Sequence, residues 1–581
     1  MGRTISIGAQ SFEFLRKNNY FFIDKTGFIK EWWENGDVVT LITRPRRFGK
    51  TLNLDMMNCF FSKAYEGRGE LFEGLSIWED KSPDGDKSPN GDCKYRELQG
   101  SCPVIFLSFA GIKGQTFEET KQGIKYTLAK LYESHEYLKN GKNMGKREQD
   151  FFDSVSPEMT DDMAVLALKY LSDYMSRYYG QKVLIFLDEY DTPLQEAYVC
   201  GYWKEVVGFI RSMFNSTFKT NPSMERAIMT GITRISKESV FSDLNNLTVV
   251  TTTSERYCTQ FGFTEEEVFR ALDQMGMSER KADVKQWYDG FTFGSQRDVY
   301  NPWSITNFMK EKELKPYWAN SSANRLVSLL IRQGNAQTKT IMEELMKGGV
   351  LETEIDEEII FDQLQKKPGA IWSMLLASGY LKVVEKRFSR ETRRFTYRME
   401  LTNWEVEMMF EDMICGWFGA DDVPYNNFIK ALLLNDIEAM NEFMNDIALT
   451  TFSSFDIAES VAKNDAPERF YHGFVLGLMV ELKGSYEIVS NRESGFGRYD
   501  IMLIPREQGL VPLEKGHLDP MVIEFKVRKP KKEASLEETV AAALRQIEDK
   551  KYDAALEERG FEKARIRHYG FAFEGKQVLI G

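Results

Sequence analysis

The sequence predicts an α/β protein, and three observations predict it. Near-continuous apolar runs recur through the first 250 residues with helical stretches between them, the pattern of strands covered on both faces in a parallel sheet. The first of these runs passes through a short turn into a helix. After a mainly helical middle, the last 120 residues return to strands and helices, so the chain divides at 1–250, 251–460 and 461–581. At roughly 150 residues per domain, 581 residues suggest three or four globular units, each able to bury a core.

VVTLIT (38–43) is β-branched and reads as the first strand, RPRRFGKT turns, and LNLDMMNCFF is apolar at helical spacing. DKSPDGDKSPNGD (80–92) repeats turn residues without a hydrophobic period, which predicts a surface loop; it lacks the terminal Glu of a calcium loop. CPVIFLSFA (102–110), VLIFLDEYD (183–191) and RAIMTGITR (226–234) supply three more strands. In the middle, residues 371–402 predict a helix, a Ser-Gly turn and a β-hairpin with SRET at its tip, the outline of a winged-helix module. The final part opens on a helix (468–482), continues through strands YEIVS, RYDIMLIP and MVIEFKV, and closes with a long helix (536–558) and the strand HYGFAFEG.

Composition narrows the function. Lys plus Arg is 75 against 88 for Asp plus Glu, a net charge of -13, so a polyanion can be met only by a local patch. Ordinary hydrophobic and charged fractions, 42% and 28%, exclude collagen-like and largely disordered classes. Six cysteines without a C-x-x-C pair signal neither a zinc ribbon nor a disulfide framework, which favours a reducing compartment. With no apolar run of about 18 residues and no secretory leader, the expectation is a cytoplasmic protein that does not enter membranes.

Two constellations carry chemistry. Gly49, Lys50 and Thr51 fill the last three positions of the phosphate-loop pattern G-x-x-x-x-G-K-[ST], in which backbone N–H groups wrap phosphates, Lys neutralises them and the hydroxyl holds Mg2+. Arg44 stands at the first glycine position. The triplet alone equally fits a helix start with a solvated lysine. VLIFLDEYD, however, ends an apolar strand in Asp188 and Glu189, suited to a magnesium shell and to orienting or deprotonating water, so ATP hydrolysis is the better expectation. The second constellation is in MVIEFKV, where alternation puts Glu524 and Lys526 on one face. Antiparallel pairing would bring Asp500 of RYDIMLIP beside Glu524, and two carboxylates with an ammonium suit metal-dependent phosphodiester hydrolysis. Between Lys382 and Arg398, seven basic residues against two glutamates, interleaved with Phe388, Phe395 and Tyr397, mark a wing for phosphates or a solvated hairpin, and KVRKPKK (526–532) extends the track.

On YFFIDKTGFI, LITRPRRFGKTLNLDMM, VLIFLDEYDTPL, MTGITRISKESVFSDLNNL, WYDGFTFG and VYNPWSI, and on ERFYHGFVLGLM, SNRESGFGRYDIML and VIEFKV further on, the chain resembles prokaryotic AAA-ATPase-like proteins fused to a PD-(D/E)XK nuclease-like domain. The resemblance implies a P-loop NTPase sheet followed by a C-terminal restriction-endonuclease-like α/β domain. In the RPRRFGK loop it assigns Arg46, Arg47, Phe48 and Gly49 to the nucleotide, with Lys50 and Thr51 on phosphate and magnesium. It makes Asp188 and Glu189 the Walker B pair and Thr230 a sensor, with Arg234 as extra charge. In the last domain it implies Glu468, Asp500 and Glu524 as metal-holding carboxylates, with Lys526 and Gln546 in the site and Tyr552 and His472 as further matches. The expected protein binds ATP and Mg2+, with Mn2+ an alternative at the nuclease site, and cleaves nucleic acid, DNA ahead of RNA, as a monomer or an oligomer. The rival expectation is a nucleotide-gated switch that binds nucleic acid or protein without cutting.

Overall fold

A computed structural model describes residues 3–78, 94–141, 143–232, 241, 244–318, 325–332, 336–346, 348–356, 369–390, 393–417, 423–451, 475, 479, 482, 485–490, 493–494, 497–498, 500–506, 518–530, 533–575 and 577–581. The chain forms two compact units, Met1–Leu330 with Val350–Glu407, and Ile331–Gly349 with Met408–Gly581. Among the described residues no helix is long and apolar enough to cross a membrane.

The first unit is built on β1 (Val39–Thr43), β2 (Val104–Ser108), β3 (Val183–Asp188), β4 (Met224–Gly231) and β5 (Leu247–Val250), in the order β2-β3-β4-β1-β5. All four pairings are parallel. Every residue of β1 and β3 is buried, which the near-continuous apolar runs require. Ile42, Leu184, Phe186 and Ile228 share a core with Phe28, Leu54 and Phe60, and the alternate residues Leu41, Ile185, Leu187 and Met229 are buried as well. The four expected runs are β1 to β4. LTVV, a four-residue edge strand that is mostly half-buried, went unanticipated. Because the strands are parallel, the loop after β1 and the ends of β3 and β4 lie along one edge, with Thr43 opposite Gly231 and Ser108 opposite Asp188. In open parallel sheets that edge is where ligands bind.

Beyond this sheet, β6 (Phe263–Thr264), β7 (Phe291–Phe293) and β8 (Gln296–Tyr300) form a small antiparallel sheet in the order β6-β8-β7. A third sheet has the order β10-β11-β9, from β9 (Leu351–Glu354), β10 (Leu381–Ser389) and β11 (Arg394–Leu401). The Ala370–Ala377 helix precedes the hairpin, and β9 pairs with its second strand, so strand, helix and hairpin follow one another as in a winged-helix module.

In the second unit β12 (Tyr486–Ser490), β13 (Glu493–Ser494), β14 (Gly497–Arg498), β15 (Ile501–Pro505), β16 (Met521–Val527), β17 (Arg567–Glu574) and β18 (Gln577–Ile580) give a two-stranded β13-β14 ribbon and a mixed sheet ordered β12-β15-β16-β17-β18. Among the described residues of this unit only β16 and β17 pair in parallel, and the Leu536–Lys550 helix lies in the crossover between them. Odd residues of β16 (Met521, Ile523, Phe525) join a core with Phe571 and Phe573; the even residue Val522 packs with Met502, Ile504 and Ile547.

One acidic pair gives the first unit a pH signature. Asp289, which follows the Lys281–Tyr288 helix, lies against Asp298 of β8; burial, and then the Asp298 charge, push its carboxyl from 3.8 up to about 7. The folded chain thus holds a proton that the unfolded chain releases near 3.8, so this stabilisation is complete below about pH 4 and is lost as pH rises through about 7. Asp298→Asn removes the neighbouring charge, and Asn tolerates the left-handed backbone there (φ 55°). Melting temperatures between about pH 4 and about pH 8 should fall less steeply with pH in this variant than in the wild type. Parallel curves would refute the coupling.

Candidate functional site

The first site forms where β1 gives way to the Lys50–Phe61 helix. Gly49 caps that helix with a left-handed backbone (φ 80°), a conformation that costs glycine nothing and turns the following N–H groups into the loop. Lys50 is 5% exposed, and its ammonium donates to the carbonyls of Arg44 (3.0 Å) and Pro45 (2.9 Å), which folds the loop around it. Burial pushes Lys50 down, while Glu189, Asp191 and Asp188 oppose that shift. Asp188 is 1% exposed and sits between two hydroxyls: Thr51 Oγ1 donates to its Oδ2 (2.8 Å) and Thr230 Oγ1 to its Oδ1 (2.6 Å). Burial pushes the Asp188 carboxyl up, and the two hydroxyls hold it back. Thr230 also accepts the N–H of Glu189 (3.3 Å), whose backbone is left-handed (φ 50°). Hard oxygens from Thr51 and Asp188, side by side, are the donor chemistry of Mg2+. Three carboxylates act on Lys50 against the nearby Arg46 charge, so a polyphosphate fits this pocket best when a divalent cation accompanies it.

The other loop residues are held from outside the loop. Arg44, at the position of the missing glycine, turns inward and is fully buried. Its guanidinium donates to the carbonyls of Thr43 (3.0 Å), Thr251 (2.6 Å) and Arg256 (3.3 Å) and lies 4.6 Å from the Phe293 ring centre. Burial pushes it down to about 10, so it stays cationic at neutral pH. Arg44 therefore ties the end of β1 to the chain beyond β5. Phe48 is buried against Phe291 (4.8 Å between ring centres) and Phe293 (5.3 Å), and its carbonyl accepts the N–H of Gly262 (3.3 Å), which leaves its backbone N–H as what it offers a ligand. Arg47 is exposed and stacks on Trp303 at 4.3 Å. Arg46 donates to Gln195 Oε1 (3.3 Å), and Gln195 in turn donates to Asp191 (2.8 Å). The Arg46 carbonyl accepts from Asn301 Nδ2 (3.3 Å) and Trp318 Nε1 (3.0 Å). Asp191, Gln195, Asn301 and Trp318 were missed as loop supports. Asn301 and Asp191 carry a local signal, since each stands at the N-cap of a helix with Pro in its first turn, and the Asn301 side chain caps Trp303 and Ser304.

The second site lies on β15, β16 and the Leu536–Lys550 helix. Met502 pairs with Val522 and Ile501 with Ile523, so the next step of the register sets Asp500 opposite Glu524. Asp500 Oδ2 accepts the N–H of Phe525 (2.8 Å). Glu524 is 3% exposed, and with Lys526 it continues the Val522 row toward the Leu536–Lys550 helix. Gln546 of that helix reads both: its Oε1 accepts from Lys526 Nζ (2.6 Å), and its Nε2 donates to Glu524 Oε1 and to the Tyr552 hydroxyl (3.1 Å). Burial, and then the charges of Glu524 and Asp500, push the Tyr552 phenol up. Asp500, Glu524, Lys526 and Gln546 are thus brought together, with Tyr552 beside them. The two carboxylates offer the oxygen donors that Mg2+ or Mn2+ takes. Among the described residues no three His, Cys, Asp or Glu groups cluster as a metal site; Glu468, His472 and Arg234 lie outside the described residues.

The basic hairpin is more nearly neutral than its own sequence suggests. β9 brings Glu354 to Arg394 (2.7 Å), and Glu385 takes both Arg387 (2.6 Å) and Arg398 (3.1 Å). In the KVRKPKK run, Arg528 is paired with Glu574.

Comparison with known proteins adds to this geometry. A family model described as a predicted AAA-ATPase matches residues 6–241, and one described as the PD-(D/E)XK nuclease superfamily matches residues 466–581. The "Uncharacterized protein in vnfD 5'region" of Azotobacter chroococcum mcd 1 is similar along its length, 24% identical over 590 residues that cover 99% of this chain and 98% of that protein.

The Asn301 contacts can be separated by mutation. Asn301→Ala removes both the helix cap and the hydrogen bond to the loop and should destabilise by about 1–2 kcal/mol. Asn301→Ser keeps a capping oxygen but cannot reach Arg46, so stability should recover while hydrogen exchange at the amides of residues 46–49 speeds up. Wild-type exchange in the Ser variant would remove Asn301 from the support of the loop.

Proposed function

From a chain that carries an AAA-ATPase-like domain followed by a PD-(D/E)XK nuclease superfamily domain, we propose an ATP-binding and ATP-hydrolysing protein that cleaves nucleic acid at a second, divalent-metal-dependent centre. The observation that carries the first half is the Asp188 carboxylate held between Thr51 and Thr230 beside buried Lys50. In this reading the loop N–H groups and Lys50 bind the phosphates, with Arg46 and Arg47 adding charge at the rim. Thr51 and Asp188 would hold Mg2+, which would supply positive charge beside the transferred phosphoryl group. Glu189 orients and deprotonates the attacking water, and Thr230 fixes the Asp188 carboxylate and the Glu189 peptide together.

At the second centre Asp500 and Glu524, with Glu468, would hold Mg2+ or Mn2+, which activates water and polarises the phosphodiester. Lys526 positions the nucleophile or offsets charge developing on the phosphate. Gln546 fixes the distance between Lys526 and Glu524 through one amide. DNA is the preferred substrate class over RNA. Nucleotide binding in 1–250 would control access to 461–581 through the intervening 251–460. Cys59, Cys102, Cys200 and Cys258 are free thiols, in keeping with the cytoplasmic setting proposed.

Substitutions should separate the two activities. Lys50→Ala should abolish ATP binding, whereas Glu189→Gln should retain it and lower turnover by about 100-fold or more. Asp500→Ala and Lys526→Ala should each abolish Mg2+- or Mn2+-dependent cleavage of labelled DNA while ATP binding persists. Cleavage surviving in both would reject the nuclease assignment. Turnover unaffected by Glu189→Gln would reject the proposed base.

A further inference from the structure

At the end of the β10-β11 hairpin two phenylalanines face solvent together. Phe388 and Phe395 are directly paired across the strands, 54% and 47% exposed, with ring centres 5.0 Å apart. Lys386, two residues along the same face, sets its ammonium 4.4 Å over the Phe395 ring and 5.4 Å over Tyr397. Arg390 and Arg393 are exposed at the turn just beyond. A wing that only met phosphates would need the charges but not the rings, because exposed aromatic surface is unfavourable in water and adds nothing to a phosphate contact.

Charge decides what covers the rings. Toward the tip, among the described residues, Lys386, Arg387, Arg390, Arg393, Arg394 and Arg398 face Glu352, Glu354 and Glu385, six cations against three anions in a chain of net charge -13. An apolar protein surface would gain nothing from that excess, whereas a polynucleotide presents flat π faces for the rings and phosphates for the flanking cations. Paired bases bury their faces in the duplex stack, so only unpaired bases can lie against a platform two rings wide.

We propose that the Phe388–Phe395 pair is a stacking platform for unpaired nucleobases, making the wing a reader of single-stranded or frayed nucleic acid. This rests on the nucleic-acid substrate proposed above and specifies its form. Arg387, Arg394 and Arg398, already engaged by Glu385 and Glu354, hold the hairpin's other face rigid behind the platform.

The test is binding of the full-length protein, in EDTA to prevent cleavage, to a labelled DNA strand and to its blunt duplex, followed by fluorescence anisotropy across a salt series. Stacking is worth about 1–3 kcal/mol per base, or about 5- to 150-fold in affinity. The Phe388→Ala/Phe395→Ala double variant should lose about that much for the single strand, change less than about twofold for the duplex, and keep the wild-type salt slope, because no phosphate contact is removed. Phe388→Tyr/Phe395→Tyr should restore binding, and ATP binding unchanged in both variants reports intact folding. Equal losses on strand and duplex, or no loss, would overturn the platform while leaving the nucleic-acid reading standing. A sedimentation change in the Ala variant with DNA binding intact would overturn it in favour of contact with a second copy of the chain. A wild-type protein that binds neither probe would overturn both.

Discussion

A buried carboxylate organises the candidate site that follows β1. Asp188 sits at the end of a wholly buried strand, where an ionised group without partners would be strongly unfavourable. Its two oxygens are met by hydroxyls from two different elements, Thr51 at the start of the Lys50–Phe61 helix and Thr230 at the end of β4. The same carboxylate thus fixes the helix start against two strands of the sheet. The Glu189 peptide, bonded to Thr230, is fixed with it. Movement in any of these elements would cost the buried carboxylate one of its hydrogen bonds.

The altered loop follows the same logic. Phosphate loops begin with glycine because the backbone must turn tightly; here Arg44 occupies that position and directs a fully buried guanidinium at three backbone carbonyls. Its carbonyl, with that of Pro45, is left to receive Lys50. Arg44 stabilises the loop from behind, and Asn301 and Trp318 do so from the side. In the second unit one amide does comparable work: Gln546 presents its oxygen to Lys526 and its nitrogen to Glu524, so a single helix position sets the spacing of two oppositely charged side chains.

Much of this was legible in the sequence where local pattern and tertiary structure coincide. The strands β1 to β4 show themselves because both their faces are buried, and the facing of Glu524 and Lys526 follows from strand alternation alone. Asp500 needs the register as well, and the register aligns it with Glu524. What sequence could not show is set by distant partners. Asn301 and Trp318 lie 255 and 272 residues from Arg46. The hairpin looked strongly basic because Glu352 and Glu354, which offset it, arrive on β9 from before the intervening helix. Arg44 read as a departure at a glycine position, and no local pattern reveals that its side chain points inward.

The proposed function requires Asp188, besides accepting its two hydroxyl hydrogen bonds, to seat Mg2+ together with Thr51. The direct measurement is calorimetric ATP affinity with Mg2+ and with EDTA, in the wild type and in Asp188→Asn, which keeps the shape and loses the charge. Binding in the wild type should be at least about tenfold tighter with Mg2+, about 1.4 kcal/mol, with little or no metal dependence in the variant. The same metal dependence in both proteins would contradict the proposed seat.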